Sequence, residues 1–173
     1  MSEESSRRFE ELILPEVAFV ARVARSMSSS SAQAEDLAQE TLMKAFRSID
    51  GFDGRHPRAW LARIARNTAI NRDQRNREVP VAEPDVGQAL GVDDPESLVV
   101  DPQMDEVLRE ALDDLPPEFR AVVQLVDVEQ MRYQEAADAL GIPVGTVMSR
   151  LHRARARLRA AVKGTHLDRE RRG

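Results

Sequence analysis

There is no cysteine among the 173 residues of this chain. That removes disulfides, thiolate nucleophiles, cysteine-based zinc sites and cysteine-dependent redox switching. Aromatic residues are scarce, with five Phe, one Trp and one Tyr, and no sustained alternation of Val, Ile and Thr occurs, so a sheet has little to be built from. No stretch of about 18 apolar residues appears, and the polar start Met1-Ser-Glu-Glu-Ser-Ser-Arg-Arg8 has no apolar run behind it. Neither a membrane span nor a secretory leader is expected, and the chain reads as cytoplasmic. Its histidines, His56, His152 and His166, lie far apart, and no Gly-rich phosphate loop is present. No catalytic constellation, cofactor site or metal site emerges, which disfavours an enzyme.

What remains points to an all-α protein with Leu, Ala and Val cores. The length suits two small helical domains of roughly 60 to 90 residues each. Net charge is −5, which is unpromising for a nucleic-acid binder until the charges are placed. Residues 55–77 hold seven Arg and a single acid, Asp73; residues 78–108 hold nine Asp or Glu and no base; residues 145–163 hold five Arg and one Lys with no acid. The acidic stretch also carries Pro80, Pro84, Pro95 and Pro102. Low hydrophobicity, high charge and scattered proline mark a flexible linker. The expected division is therefore a domain over 1–77, an acidic linker over 78–102, a second domain over 103–164 and a polar tail over 165–173.

The second domain holds the most specific local pattern. Tyr133 to Leu140 reads as a helix with Ala136, Ala137 and Leu140 on one face, ended by Gly141, which can take a left-handed conformation, and by Pro143. From about Gly145 a second helix places Val147, Leu151, Ala154 and Leu158 in a buried stripe. Thr146, Arg150, Arg153 and Arg157, with Ser149 beside them, lie about 100° around that helix and form a guanidinium-rich outer flank. This is a helix-turn-helix. A one-signed helix suits phosphates, and arginine also forks onto guanine edges, whereas a merely solvated face mixes both signs. Two helices from Met104 to Leu115 and from Glu118 to Val128, separated by Pro116-Pro117, are expected to back it.

In the first domain, Ser2 to Arg8 is expected to be a polar tail, with a helix beginning near Phe9 and Pro15 opening or kinking it. Val17, Val20, Ala21, Ala24 and Met27 mark an inner face, and the run Ser28 to Ser31 offers an N-cap to the next helix. There Ala38, Thr41, Leu42 and Ala45 share one face, while Asp36, Gln39, Glu40, Met43 and Arg47 line the other. After a Gly-rich loop carrying Phe52, a helix from Arg58 buries Leu61, Ile64, Ala65 and Thr68 and turns Arg63, Asn67, Ile70 and Gln74 outward. Phe52 either packs back on the core or lines a pocket, and aromatic residues such as Trp60 beside a basic groove are a common way to hold single-stranded nucleic acid.

Three motifs in order carry a resemblance that covers nearly the whole chain: Ala34-Glu-Asp-Leu-Ala-Gln-Glu-Thr41, Ala59-Trp-Leu-Ala-Arg-Ile-Ala-Arg-Asn-Thr68, and Leu115-Pro-Pro-Glu-Phe-Arg120 followed by Gly141-Ile-Pro-Val-Gly-Thr-Val-Met-Ser-Arg-Leu-His-Arg-Ala-Arg155. Together they resemble the extracytoplasmic-function sigma factors of bacterial RNA polymerase. The resemblance implies that the first domain is sigma region 2, with Asp36, Gln39, Glu40 and Met43 docking on core polymerase. Phe52, Arg55, Trp60, Arg63, Asn67 and Asn71 would open the −10 element and capture an unstacked base. Region 4 would read the duplex −35 element with Thr146, Ser149, Arg150, Arg153 and Arg157. The linker would thread toward the active-site channel, and an anti-sigma factor would regulate the chain, which ends soon after region 4. Met148 departs from the family pattern, where Lys or Arg is common. A stand-alone helix-turn-helix regulator is the competing reading, and it leaves the basic stretch at 55–77 unexplained.

Overall fold

The computed structural model describes residues 3–76 and 102–170. The linker anticipated over 78–102 lies outside them except for Pro102. Among the described residues helix is the only regular structure, in two domains.

The first domain opens with α1 (Glu3–Leu12). This corrects the expected polar tail over Ser2 to Arg8 and the helix start near Phe9. Tertiary contacts supply what periodicity does not show: buried Ser5 donates from Oγ to Asp50 Oδ1 at 2.7 Å, Arg8 donates to the Phe52 carbonyl, and Phe9 meets Phe46 edge-on at 4.9 Å. Pro15 lies in a 3₁₀ turn, Leu14–Glu16, between α1 and α2 (Val17–Ser26). The inner face of α2 also differs from expectation. Phe19, Val20, Val23 and Ala24 are buried, whereas Val17 and Ala21 are exposed, because α2 is packed not only by the rest of its domain but also by α6 of the second. Helix α3 (Ser31–Ser48) starts as expected at its serine cap, Ser30 Oγ accepting from the Gln33 amide at 3.3 Å. It buries Ala34, Leu37, Thr41 and Ala45 against α2 and α4 (Pro57–Asn76), which buries Leu61, Ala62, Ala65 and Thr68.

The second domain runs through α5 (Pro102–Asp113), α6 (Pro117–Val123), a π-helical turn (Gln124–Val128), α7 (Tyr133–Leu140) and α8 (Val144–Glu170). Gly141 takes the left-handed conformation that its place in the turn requires, at φ 61°, and the Ile142 amide donates to the Ala137 carbonyl at 3.1 Å. Val147, Leu151 and Ala154 are buried and Leu158 half-buried, so the apolar stripe of α8 faces the core as its spacing predicts.

The two domains are packed against each other. Helix α2 meets α6 and the π-helical turn, α4 meets α7, and buried residues of both domains belong to one continuous core. The Arg66 guanidinium of α4 lies so close over the helix-turn-helix turn that a Cβ at Gly141 would stand 2.6 Å from its Nη1. Nothing in the hydrophobic pattern announces this packing.

Candidate nucleic-acid and partner interfaces

On α3, Asp36, Gln39 and Met43 are exposed, Met43 at 48%. An unbranched thioether exposed between Gln39 and Arg47 is a surface that a partner can desolvate cheaply. Glu40, expected in the same row, is instead engaged within the domain. Its carboxylate accepts from Lys44 Nζ at 2.8 Å and from Arg72 Nε at 2.7 Å, and Arg72 also donates to the Asp36 carbonyl at 3.0 Å. The Lys44 hydrogen bond, then that from Arg72, hold the Glu40 pKa below its ordinary value despite partial burial. The structure therefore separates Glu40 from the exposed three: it ties α3 to α4 beneath them.

At the start of α4, Phe52 is 5% exposed and stacks on Trp60 with ring centroids 4.3 Å apart and planes 15° from parallel. The loop phenylalanine is thus the back of an aromatic pair, not a free side chain. In front of it lies a cavity of about 380 Å³ lined by Gly51, Phe52, Asp53, Arg55, His56, Ala59, Trp60 and Arg63 on one side and by Asp138 and Ala139 of α7 on the other. Its size falls in the roughly 300–1,000 Å³ range of ligand-sized clefts. The side chains of Arg55 and Arg63 are exposed and have no side-chain partner among the described residues, while Asn67 accepts from Arg66 Nη1 at 3.2 Å and Asn71 is exposed farther along the helix. Aromatic faces with unneutralised guanidinium groups at the rim can stack a base and pair its phosphates.

On α8, Arg153 is exposed and Arg150 half-buried, and neither has an intramolecular partner among the described residues. Thr146 stands in the first turn, where its carbonyl accepts from Ser149 Oγ at 3.1 Å. Arg157 belongs partly to the fold, its guanidinium 4.8 Å from the Phe119 ring centroid. A further arginine of this helix, outside the flank of Arg150 and Arg153, is held by the fold. Arg155 forks onto Asp127 in the π-helical turn, with Nε 3.1 Å from Oδ2, and that hydrogen bond raises its pKa above the ordinary value. The result is a helix anchored by Arg155 and Arg157 that offers Arg150 and Arg153 outward.

Residues 12–78 match the family Sigma-70 region 2, and residues 105–158 match Sigma-70, region 4. Two curated relatives span the chain and most of their own length. One is the ECF RNA polymerase sigma factor EcfG of Rhodopseudomonas palustris, 36% identical over 86% of this chain and 81% of that protein; the other is SigW of Bacillus subtilis, 33% identical over 76% of each. The chain belongs to the extracytoplasmic-function sigma factors of the sigma-70 family. It is also 37% identical over 87% of its length to SigE of Mycolicibacterium smegmatis, spanning 60% of that protein. Among solved structures it is similar to the sigma factor RpoE of Bartonella quintana, in complex there with the anti-sigma factor NepR, at a TM-score of 0.68 and 32% identity over 90% of this chain and 96% of that one. CnrH, in complex with the cytosolic domain of CnrY, follows at a TM-score of 0.61 and 29% identity over 92% and 90%. Membership settles the class of function as a promoter-directing sigma factor rather than a stand-alone helix-turn-helix regulator. Sigma factors are non-catalytic initiation factors, and no helix among the described residues is long and apolar enough to cross a membrane.

Within this sigma factor, one functional group was invisible in the sequence reading. Glu129 follows the π-helical turn, and its carboxylate, 3% exposed, receives Arg22 Nε at 2.6 Å and Arg22 Nη2 at 2.9 Å from the other domain. Gln124 donates to it at 2.9 Å, and Arg58 Nη1 stands 3.7 Å away while its Nε pairs with Glu16 at 2.7 Å. The hydrogen bond from Arg22 holds the Glu129 pKa below its ordinary value against the opposing effect of burial. An acid at the end of the apolar helix Glu118 to Val128 was the available signal, but its partners lie over 100 residues away in the chain, Arg22 and Glu129 being 107 apart.

Proposed function

We propose that this sigma factor binds core RNA polymerase through the exposed Asp36, Gln39 and Met43, with Glu40 supporting that face from within. The aromatic cavity of Phe52 and Trp60 takes an unstacked base of the −10 non-template strand, while Arg55, Arg63, Asn67 and Asn71 hold the adjoining backbone and base edges. Extracting a base costs a few kcal/mol, which stacking and edge hydrogen bonds in a pocket recover. The outer flank of α8 enters the duplex −35 major groove, with Arg150 and Arg153 reading bases and Thr146, Ser149 and Arg157 positioning the helix on phosphates. The acidic stretch over 78–102 links the two and threads toward the active-site channel. The chain requires no cofactor, catalyses no reaction, and acts in the cytoplasm, where polymerase and promoters are. An anti-sigma factor is the regulatory partner, a reading supported by the complexes that the similar RpoE and CnrH chains form.

The single observation that carries this reading is the pairing of an aromatic cavity rimmed by unneutralised arginines in one domain with an anchored helix presenting Arg150 and Arg153 in the other. Reconstitution with core polymerase on a randomised promoter library tests it. The expected result is selection of templates with two conserved elements at fixed spacing, and loss of selection when core polymerase is omitted. Specific duplex binding by the chain alone, unaffected by core, would favour the regulator.

A further inference from the structure

Most of helix α1 precedes the stretch that matches region 2, which begins at residue 12, yet the helix is packed into that domain. Its contacts come from Ser5, Arg8, Phe9 and Leu12, which share one face at three- and four-residue spacing. Phe9 and Leu12 pack on the core, Phe9 edge-on to Phe46. The polar pair has another target. Ser5 Oγ donates to Asp50 Oδ1 at 2.7 Å, and Arg8 Nη2 donates to the Phe52 carbonyl. Leu12 follows them along the same loop, its Cδ1 3.9 Å from where a Cβ at Gly54 would stand. One helix thus meets Asp50, Phe52 and Gly54 in succession, and this loop carries the back wall of the aromatic cavity.

The loop requires such support. Between the 3₁₀ turn Ile49–Gly51 and α4 it makes no regular structure, and Gly54 and His56 both take left-handed conformations, at φ 81° and 50°. For His56 that is a strained backbone, which persists only where its surroundings hold it. The loop's own hydrogen bonds are short-range: the Phe52 amide donates to the Ile49 carbonyl at 3.1 Å, and the Arg55 amide to Asp53 Oδ1 at 2.9 Å. Neither fixes the loop against α4, whereas Phe52 has to lie nearly flat on Trp60 with ring centroids 4.3 Å apart. The Arg8 guanidinium holds the carbonyl of the very residue whose ring makes that stack. A charge-assisted hydrogen bond is shorter and stronger than a neutral one.

We propose that α1 is a clamp on the pocket loop and that Arg8 is a positioning residue for capture of the −10 base, keeping Phe52 stacked behind Trp60 through its carbonyl. This rests on the reading of the cavity as the −10 pocket and names what sets the shape of that site. Arg8 acts through Phe52 and touches no DNA. Without its hydrogen bond the loop samples other positions, and a stacked form reduced to about a tenth of the population captures a base about tenfold more weakly. Preorganisation of the pocket thereby depends on a helix that lies almost wholly outside the matched region.

Trp60 is the one tryptophan of the chain, so its emission reports on the pocket directly. Arg8→Met keeps the aliphatic stem and removes the donor, Arg8→Lys returns a donor, and Arg7→Met removes an exposed charge from the same helix. Each full-length variant is tested in two ways: acrylamide quenching of Trp60 in the free chain, and permanganate reactivity of −10 thymines with core polymerase on a promoter that the unaltered holoenzyme opens. Arg8→Met should quench more steeply without any DNA and open the promoter about tenfold less, with holoenzyme affinity unchanged. Arg8→Lys should regain most of both, and Arg7→Met should alter neither. In a Trp60→Ala background Arg8→Met should add nothing to the opening defect, because the two act through one stack. Unchanged quenching or normal opening in Arg8→Met overturns the clamp, as does an equal loss in Arg7→Met or full additivity with Trp60→Ala. Normal opening by Trp60→Ala alone overturns the pocket reading instead, and the role of Arg8 with it. Ser5→Ala, which removes only a hydroxyl from the same face, is the second variant should Arg8→Met lose helical content. It should shift quenching and opening in the same directions, and no shift in either overturns the clamp.

Discussion

The Glu129 carboxylate accepts two hydrogen bonds from the Arg22 guanidinium, at 2.6 and 2.9 Å, across the boundary between region 4 and region 2. Its acidity follows from that geometry. The folded-state pKa lies below the ordinary carboxylate value, chiefly because Arg22 donates to the charged form. A depressed carboxylate pKa contributes stability that is present above the unfolded pKa, about 4.3, and is lost as pH falls through the folded value.

The domain contact should accordingly be insensitive to this pair from about pH 5 to 8 and loosen below about pH 4. Energy transfer between dyes on the two domains, recorded against pH, checks it. Glu129→Gln should remove the acid-dependent step, and its cost in urea unfolding should be about 1–3 kcal/mol, below that of a fully buried pair because Arg22 is itself half exposed. Persistence of the same step in the variant would assign it to another group.

Polymerase binding should depend on Asp36 and Met43 separately from Glu40. Asp36→Arg with Met43→Ala leaves the Lys44, Glu40 and Arg72 cluster intact and should weaken holoenzyme formation at least tenfold with an unchanged Tm. Glu40→Ala should behave differently, costing about 1 kcal/mol of stability because it unties α3 from α4. Native holoenzyme affinity in the folded Asp36→Arg, Met43→Ala variant rejects the docking face.

Trp60→Ala removes the front ring of the stacked pair and should slow promoter opening rather than promoter recognition. Stacking of a base is worth about 1–3 kcal/mol, so permanganate reactivity of −10 thymines should fall by one to two orders of magnitude. A template already mismatched over the −10 element should restore much of the activity. No rescue on that template would place the defect outside strand capture.

Arg153, Arg155 and Arg159 share one helix but should give three different phenotypes. Arg153→Ala should cost about 1–3 kcal/mol on the cognate −35 duplex and much less on a duplex altered at the contacted base. Arg155→Ala should lower stability by about 1 kcal/mol, since it strands Asp127 in the π-helical turn, with promoter discrimination retained. Arg159→Ala should alter discrimination little. Measurements on matched and mismatched duplexes at two salt concentrations distinguish these, and equal, sequence-independent losses for Arg153 and Arg159 would remove base reading from Arg153.

Where structure depends on neighbours in the chain, the residues were enough. The all-α class, the Ser30 cap, the left-handed Gly141 turn and the buried stripe Val147, Leu151 and Ala154 follow from local propensity and the 3.6-residue period, which act over a few residues in any context. Motif spacing carried the family as well. Tertiary structure alone decided which polar groups are spent on the fold and which remain for partners. Glu40 stands in the same row as Asp36, and Arg155 belongs to the same one-signed stretch as Arg153, yet Arg72 and Asp127, brought up from other elements, pair with them and hold them to the fold. The start of α1 at Glu3, the burial of Phe19 and Val23, and the seating of α7 over the Phe52 cavity likewise arise from contacts between segments far apart in sequence. Periodicity records only that a face is buried; the geometry of the packed domains determines what covers it.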